Sequence, residues 1–144
     1  QGQKMMQIMF TVPGPPHGKG RPRFARRGNF VSTYTDAKTA SYEEQVKVYA
    51  RQAMGSSKPL ETAVVLYLHI RVPVPPSYSK KRTEACLGGL EWPCKKPDSS
   101  NILKSVEDAM NGVIYKDDCL IIDHFMTRVY ASEAGVDILI KEKE

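Results

Sequence analysis

Two clusters of proline limit where the strands of this chain can run. An apolar run over residues 6–12 stops at Pro-Gly-Pro-Pro over 13–16, and a longer run over 60–72 stops at three prolines within 73–76. Proline cannot donate a hydrogen bond to a sheet ladder, so each cluster ends a strand. The sequence therefore predicts a first strand over 6–12 and a long central strand over 60–72.

Two segments have the spacing of amphipathic helices. The first can be capped by Thr35 or Asp36 and stopped by Gly55. The second begins at Asp98 or Ser99 and continues to residue 110, where Asn-Gly follows. At about 100° per residue its apolar residues fall on one arc, which predicts a core face and an opposite face free for chemistry. The polar arc holds Ser100, Asn101, Lys104, Glu107 and Asp108.

The remaining elements are shorter. Short extended pieces are predicted at 30–34 and 113–115, a short helix or an irregular segment at 77–89, a strand over 119–130 that is broken at Asp123, and a final strand at 136–140. Strands and helices intermix without regular alternation. We therefore expect an α+β fold, a two-layer sandwich of one mixed β-sheet with helices mainly on one face.

The length of 144 residues suits one compact domain. We expect a single domain over 1–144, with residues 1–4 a tag remnant or disordered, because Gln1-Gly2 precedes a plausible native start near Met5. No apolar run approaches the roughly 18 residues of a membrane-spanning helix, and the start lacks the order of a signal peptide. These features predict a soluble, cytoplasmic protein without a membrane partner.

Basic residues outnumber acidic ones by 21 to 16, and they cluster. Residues 17–29 are rich in Arg, Lys, Gly and Pro without helical or strand periodicity, which predicts an irregular basic loop. A polyanionic partner is the natural interpretation, although a net charge of +5 also serves solubility alone in many small proteins. The candidate phosphate contacts are Lys19, Arg21, Arg23, Arg26, Arg27, Lys95 and Lys96.

Acidic residues of the second half of the chain are candidate metal ligands: Asp98, Asp117, Asp118 and Asp123. Hydrolysis of a phosphodiester near neutral pH calls for a divalent metal on oxygen ligands, because the attacking water must lose a proton and the charge on phosphate must be neutralised. Each feature also has a structural interpretation. Asp98 can be a helix cap, the Asp117-Asp118 pair a solvated turn, and Lys104 with Asp108 a surface ion pair.

The order of these residues resembles the RusA family of Holliday-junction resolvases, or crossover junction endodeoxyribonucleases. The chain reads Lys-Pro-Asp-Ser-Ser-Asn-Ile-Leu-Lys over 96–104, Asp-Ala-Met-Asn-Gly over 108–112 and Asp-Asp over 117–118. The family pattern is Lys-Pro-Asp-x-Asp-Asn-Leu-x-Lys, then Asp-Ala-Leu-Asn-Gly, then Asp-Asp. The resemblance continues through 18–24 and 121–123.

The resemblance implies a RusA-like fold and a bacterial or phage-encoded endonuclease that acts as a homodimer. It would cut four-way junction DNA in recombination and repair, with Mg²⁺ as cofactor and Mn²⁺ as a possible substitute. Asp98 and Asp118 would be catalytic metal ligands, with Asp117 an auxiliary acidic neighbour. Lys104 would position the phosphate or stabilise its charge, and Asn101 would brace the site.

Ser100 departs from the family pattern, which has a second helix carboxylate at that position. A neutral hydroxyl is a weak ligand for Mg²⁺, so the site loses one negative charge. Three explanations remain open: Asp117 or Asp123 compensates, cleavage has been lost, or the residue was changed to silence the enzyme. The alternative function is therefore a non-catalytic or attenuated junction-binding protein of the same fold.

Overall fold

A computed structural model describes residues 5–20, 23–34 and 36–144. Residues 1–4, for which a tag remnant or disorder was expected, lie outside the described residues. The elements in chain order are β1 (Gln7–Pro13), β2 (Arg23–Arg27), β3 (Phe30–Tyr34), α1 (Ala37–Met54), β4 (Val64–Pro73), α2 (Lys80–Leu87), α3 (Ser99–Met110), a 3-10 helix (Asp118–Leu120), β5 (Ile121–Ala131) and β6 (Gly135–Glu142).

Four strands form one mixed sheet in the order β1-β6-β4-β5. β6 is antiparallel to both of its neighbours, while β4 and β5 are parallel, so β1, β4 and β5 all run in the same direction. Side chains of β4 alternate between a buried face and an outer face, and the buried residues Leu66, Leu68 and Ile70 belong to one core with α1 and α3. The expected α+β sandwich, with its helices mainly on one face, is confirmed.

α3 divides the core from the surface. Ile102, Val106 and Met110 are fully buried, while the polar arc of the helix faces outward. Ser105 is also fully buried. Its Oγ lies 2.8 Å from the carbonyl oxygen of His17 and 2.9 Å from that of Ile102, so its hydroxyl is satisfied without water.

Residues 17–20 cross over the start of α3 and form hydrogen bonds with both α1 and α3. The backbone N–H of Lys19 donates to the carbonyl of Asn101 at 2.9 Å, and that of Gly20 donates to the hydroxyl of Thr39 at 3.0 Å. A Cβ atom on Gly18 would lie only 2.6 Å from the Cβ of Pro97. The close approach therefore requires glycine at position 18, and it fixes Lys19 above α3.

β2 and β3 form a separate antiparallel ribbon, so the interpretation of residues 17–29 as an irregular loop is wrong for 23–27. Arg27 pairs with Phe30 across a two-residue turn in which Gly28 has a φ of 59°, a turn that suits Gly-Asn. Basic residues at neighbouring positions of β2 hide its two-residue periodicity. The extended piece predicted at 30–34 is confirmed as β3.

The other elements differ little from expectation. Asp36 caps α1, Gly55 ends it, and the short helix expected within 77–89 is α2. The strand expected from residue 119 begins at Ile121, because residues 118–120 form the 3-10 helix. It is not broken at Asp123, although its register with β4 shifts just before that residue. Residues 113–115, expected to be extended, lie in a turn that ends at Tyr115, which forms isolated bridges with Leu60 and Asn111.

No helix among residues 5–20, 23–34 and 36–144 is long and apolar enough to cross a bilayer.

Replacing Ile138 by Ala tests the position of β6 in the middle of the core. The side chain is fully buried, so losing its methyl groups and leaving a cavity should lower the free energy of unfolding by about 2–5 kcal/mol. Urea unfolding followed by circular dichroism measures the change. Ile122→Ala is the matched control, because that side chain is 53% exposed and should cost less than about 1 kcal/mol. Equal losses would contradict this assignment of the core.

Candidate active site

Five charged side chains alternate in sign across the outer face of α3. We call them the charge row, which in spatial order is Glu43, Lys19, Asp108, Lys104 and Asp118. The ammonium of Lys19 lies 2.7 Å from Glu43 and 3.0 Å from Asp108. The ammonium of Lys104 lies 3.1 Å from Asp108 and 3.8 Å from Asp118. The charge row thus joins α1, the 17–20 segment, α3 and the 3-10 helix.

Both lysines of the charge row are held in the charged form. Burial alone would lower the pKa of Lys19, but the hydrogen bonds and charges of Glu43 and Asp108 outweigh it, and the pKa is raised. Asp108 raises the pKa of Lys104, with a smaller contribution from Asp118. Lys19 is one of the predicted DNA contacts, and in the structure its ammonium lies against two carboxylates.

Glu107 and His124 form a second pair beside the charge row. His124 Nε2 lies 2.8 Å from Glu107 Oε1, and the hydroxyl of Tyr115 donates to the Glu107 carbonyl at 2.8 Å. Burial raises the pKa of the Glu107 carboxyl, His124 partly offsets that rise, and repulsion from Asp118 adds to it. Asp118 is therefore close enough to act electrostatically on this pair.

Asp98 lies at the N-cap of α3, but its side chain makes no capping hydrogen bond. Asp36, at the equivalent position of α1, accepts from the N–H of Thr39 at 3.0 Å. The carboxylate of Asp98 is exposed and has no ion pair or hydrogen bond within the described part of the chain. Ser100 and Asn101 are likewise exposed. Asp98 therefore occupies the capping position of α3 without using its carboxylate as a cap, and that carboxylate is available for another role.

Two other predicted site residues have structural partners. The carboxylate of Asp117 accepts the N–H of Cys119 at 3.1 Å, and hydrogen bonding to Cys119 lowers the pKa of Asp117. Asp123 lies 3.1 Å from the ammonium of Lys143. It pairs in register with Val65, on the sheet face opposite the helices. The structure does not bring Asp123 to the charge row.

Oxygen ligands of the kind found here are those that Mg²⁺ prefers. Among the residues that the structure describes, no three His, Cys, Asp or Glu side chains are grouped closely enough to hold a metal ion. Mg²⁺ commonly keeps several waters and binds one or two carboxylates together with substrate phosphate. The unpaired Asp98 and the partly exposed Asp118 fit that open mode of binding, and a closed protein cage is not formed.

Four of the other predicted phosphate contacts fall in two places. Arg26 and Arg27 lie in β2, where they pair with Val31 and Phe30, so they point to opposite faces of the ribbon. Both arginines are exposed, and Phe30 is 79% exposed. Lys95 and Lys96, directly before Pro97 and Asp98, are exposed as well. Arg21 lies outside the described residues, and Arg23 is described as part of the β2 backbone.

Sequence reasoning missed three members of this site. Glu43 comes from α1, and only the tertiary fold brings it to Lys19. The sequence places Glu107 on the polar arc of the helix without a role, and His124 is not among its candidate residues. The signal for this pair was the alternation of β5, which puts residue 124 on the same sheet face as Leu66 and therefore toward the helices.

Comparison with known proteins identifies relatives of this arrangement. The family model described as Endodeoxyribonuclease RusA matches residues 13–141, which include every member of the charge row. The chain is also similar to the uncharacterized protein YqaN of Bacillus subtilis (strain 168). The two are 36% identical over 137 residues, which is 94% of this chain and 96% of the relative.

Two substitutions should move the pKa of Glu107 in opposite directions. His124→Ala should raise it further, because a hydrogen bond and a positive charge are lost, whereas Asp118→Asn should lower it by removing a repulsive charge. Carbon-13 NMR titration of the Glu107 carboxyl measures both shifts. His69→Ala is the control, because His69 lies on the outer face of the sheet. A shift of the same sign in both variants would contradict the geometry.

The raised pKa of Glu107 has a defined effect on stability. Its contribution is complete below the pKa of the unfolded carboxyl, which is near 4.5, and decreases as pH rises through the higher folded value. Urea unfolding of the parent and of Glu107→Gln over this range measures the contribution. The free energy of unfolding of the parent minus that of Glu107→Gln should decrease as pH rises through the pKa of Glu107 in the folded protein.

Proposed function

The chain belongs to the RusA endodeoxyribonuclease family, and on that premise we propose that it is a metal-dependent, structure-specific endonuclease that resolves four-way DNA junctions. The observation that carries the proposal is the placement of Lys104 between Asp108 and Asp118, on the helix that begins at the unpaired Asp98. An acidic and basic set of this kind suits hydrolysis of a phosphodiester.

Lys104 is the residue best placed to meet the phosphate to be cut. Its side chain is 54% exposed, yet Asp108 and Asp118 fix the position of its ammonium. A positioned ammonium can bind a non-bridging phosphate oxygen and stabilise the charge that grows there. Lys19 neutralises Asp108 and Glu43 from the other side, which reduces their repulsion of DNA.

Asp98 and Asp118 are the residues that would hold Mg²⁺, or Mn²⁺ in its place, with Asp117 as an acidic neighbour. When bound, the ion supplies a hydroxide nucleophile at neutral pH and neutralises charge on the phosphate. Asn101, one helical turn after Asp98, would brace the site. Oxygen donors on two separate elements suit an ion whose coordination is completed by phosphate oxygens of the DNA.

The β2–β3 ribbon would bind the arms of the junction. The major groove of DNA admits a two-stranded ribbon, and Arg26 and Arg27 present cations on both of its faces. Phe24 and Phe30 are 72% and 79% exposed, so they are available to pack against an opened base step. Contacts to the backbone rather than to bases suit recognition of a branched shape.

Two copies of the chain would act together, because a four-way junction is nearly two-fold symmetric and needs two cuts. Light scattering distinguishes the 16.1 kDa chain from a homodimer of twice that mass.

Action on recombining or damaged DNA would place the protein in the cytoplasm of a bacterium, encoded by the bacterium or by a phage.

A second candidate function is junction binding without efficient cleavage. Ser100 favours it, because this exposed position on the face of Lys104 carries a neutral hydroxyl where the resemblance implies a carboxylate. The described residues also form no three-membered metal cluster. Binding through the ribbon would survive the loss of a competent metal site.

Ser100→Asp should raise the rate at which a synthetic four-way junction is cut in Mg²⁺ or Mn²⁺. The added carboxylate lies one helical turn before Lys104 and strengthens the binding of the cation. Asp98→Asn and Asp118→Asn in the same background should abolish cutting and spare binding in a gel shift. Ser79→Asp, at the cap of α2, is the control for added charge. A Ser100→Asp protein that binds junctions and cuts no faster than the parent would favour the binding-only function.

Changing Arg26 and Arg27 together to Gln should weaken junction binding at moderate salt. Each lost phosphate contact should reduce the slope of log affinity against log salt by about 0.9. Fluorescence anisotropy at several salt concentrations measures both quantities. Lys47 and Arg51, on α1, changed to Gln in the same way provide a control of equal charge. An unchanged slope in the ribbon variant would remove the ribbon from the DNA-binding surface.

A further inference from the structure

A pocket of about 290 Å³ lies at the carboxyl ends of β1, β4 and β5, next to the start of α3. We call it the proline pocket, because prolines from three separate segments line it: Pro15, Pro16, Pro73, Pro75, Pro93 and Pro97. Its remaining apolar wall comes from Val72, Ile102 and Tyr130. None of the chemistry described above uses it.

The rim of the proline pocket is cationic. Lys95, Lys96 and Arg128 line it, and no acidic residue does so within the described part of the chain. An apolar cleft with positive charge at its mouth suits a ligand that joins a flat apolar group to an anion. A nucleotide has that chemistry, since its base is a flat ring system and its phosphate is negative.

The rim is also held in place before any ligand arrives. The guanidinium of Arg128 donates to the carbonyls of Pro97 and Lys95, which leaves its other N–H groups without a partner in the described residues. The ammonium of Lys95 lies 5.0 Å above the ring of Tyr78. Proline walls lose little conformational freedom on binding, so the pocket is organised in advance.

The proline pocket adjoins the proposed site of cleavage. Pro97 lines it, and the next residue is Asp98, whose carboxylate is unpaired. A strand whose phosphate is held at Lys104, on the helix that begins at Asp98, would therefore bring a neighbouring nucleotide to the mouth of the pocket. Bases at a branch point are the easiest to remove from the stack, because part of their stacking is already lost.

We propose that the proline pocket receives one unstacked nucleobase next to the cleaved phosphodiester. The phosphate of that same nucleotide would be held by Lys95, Lys96 and Arg128. The pocket thereby selects which sequence at the branch point is cut. This inference rests on the proposed junction endonuclease function. It adds a base-binding pocket beside the cleavage site, separate from the exposed Phe24 and Phe30 of the ribbon.

Fluorescence of 2-aminopurine tests the pocket without any cleavage. The analogue replaces each base around the branch point in turn, and the protein is added in EDTA. Emission should rise severalfold at one position per bound chain, which makes two symmetry-related positions for the proposed homodimer, and it should stay low at the others. Val72→Phe, which fills the pocket, should abolish that rise while the midpoint of a gel shift stays near that of the parent.

Lys96→Gln and Lys58→Gln provide a pair that does not depend on core packing, because both lysines are exposed. The rise should shrink in Lys96→Gln and persist in Lys58→Gln. This pair decides the question if thermal melting shows that Val72→Phe does not fold. A bound junction that brightens at no position, or a rise unchanged by both Val72→Phe and Lys96→Gln, would overturn the proposal.

The same assay separates the pocket from the nuclease. A protein that unstacks one base through the pocket but never cuts in Mg²⁺ or Mn²⁺ would support the pocket and remove the endonuclease function. A protein that cuts junctions while no position brightens would support the endonuclease function and remove the pocket. Failure to bind any junction would remove both.

Discussion

The burial of one face of α3 is the constraint on which the rest of this structure depends. Ile102, Val106 and Met110 are fully excluded from water, and that fixes the rotation of the helix against the sheet. Once the rotation is set, Lys104 and Asp108 have to face outward. The site therefore draws its geometry from hydrophobic packing, and its own ion pairs, whose members all remain in contact with solvent, add comparatively little energy.

Much of this arrangement is contained in local sequence. The helical spacing over 98–110, the proline stops and the turn residues were sufficient for the fold class and for the polar face that carries Lys104. β2, and with it the pairing to β3, was missed because arginines at neighbouring positions leave no apolar alternation to detect in β2. The contacts of Lys19 were missed because they join a loop to two helices that are distant in sequence.

The charge row explains how a basic protein maintains a compact acidic centre. Glu43, Asp108 and Asp118 would repel one another and DNA if they stood alone, and Lys19 and Lys104 are interposed between them. An incoming phosphate or cation has to compete with these lysines for the same carboxylates. A neutral residue at position 100 makes that competition harder for a cation, since fewer negative charges favour it.

The position of β6 has a consequence for synthesis of the protein. β6 follows β1 and β4 in sequence but lies between them in the sheet, so residues 135–142 must leave the ribosome before these strands can be joined. Until then the edges of β1 and β4 have no partner, and the core face of the sheet is open. A nascent chain that has not reached residue 142 therefore lacks the packed support for α3, and it cannot hold the charge row in place.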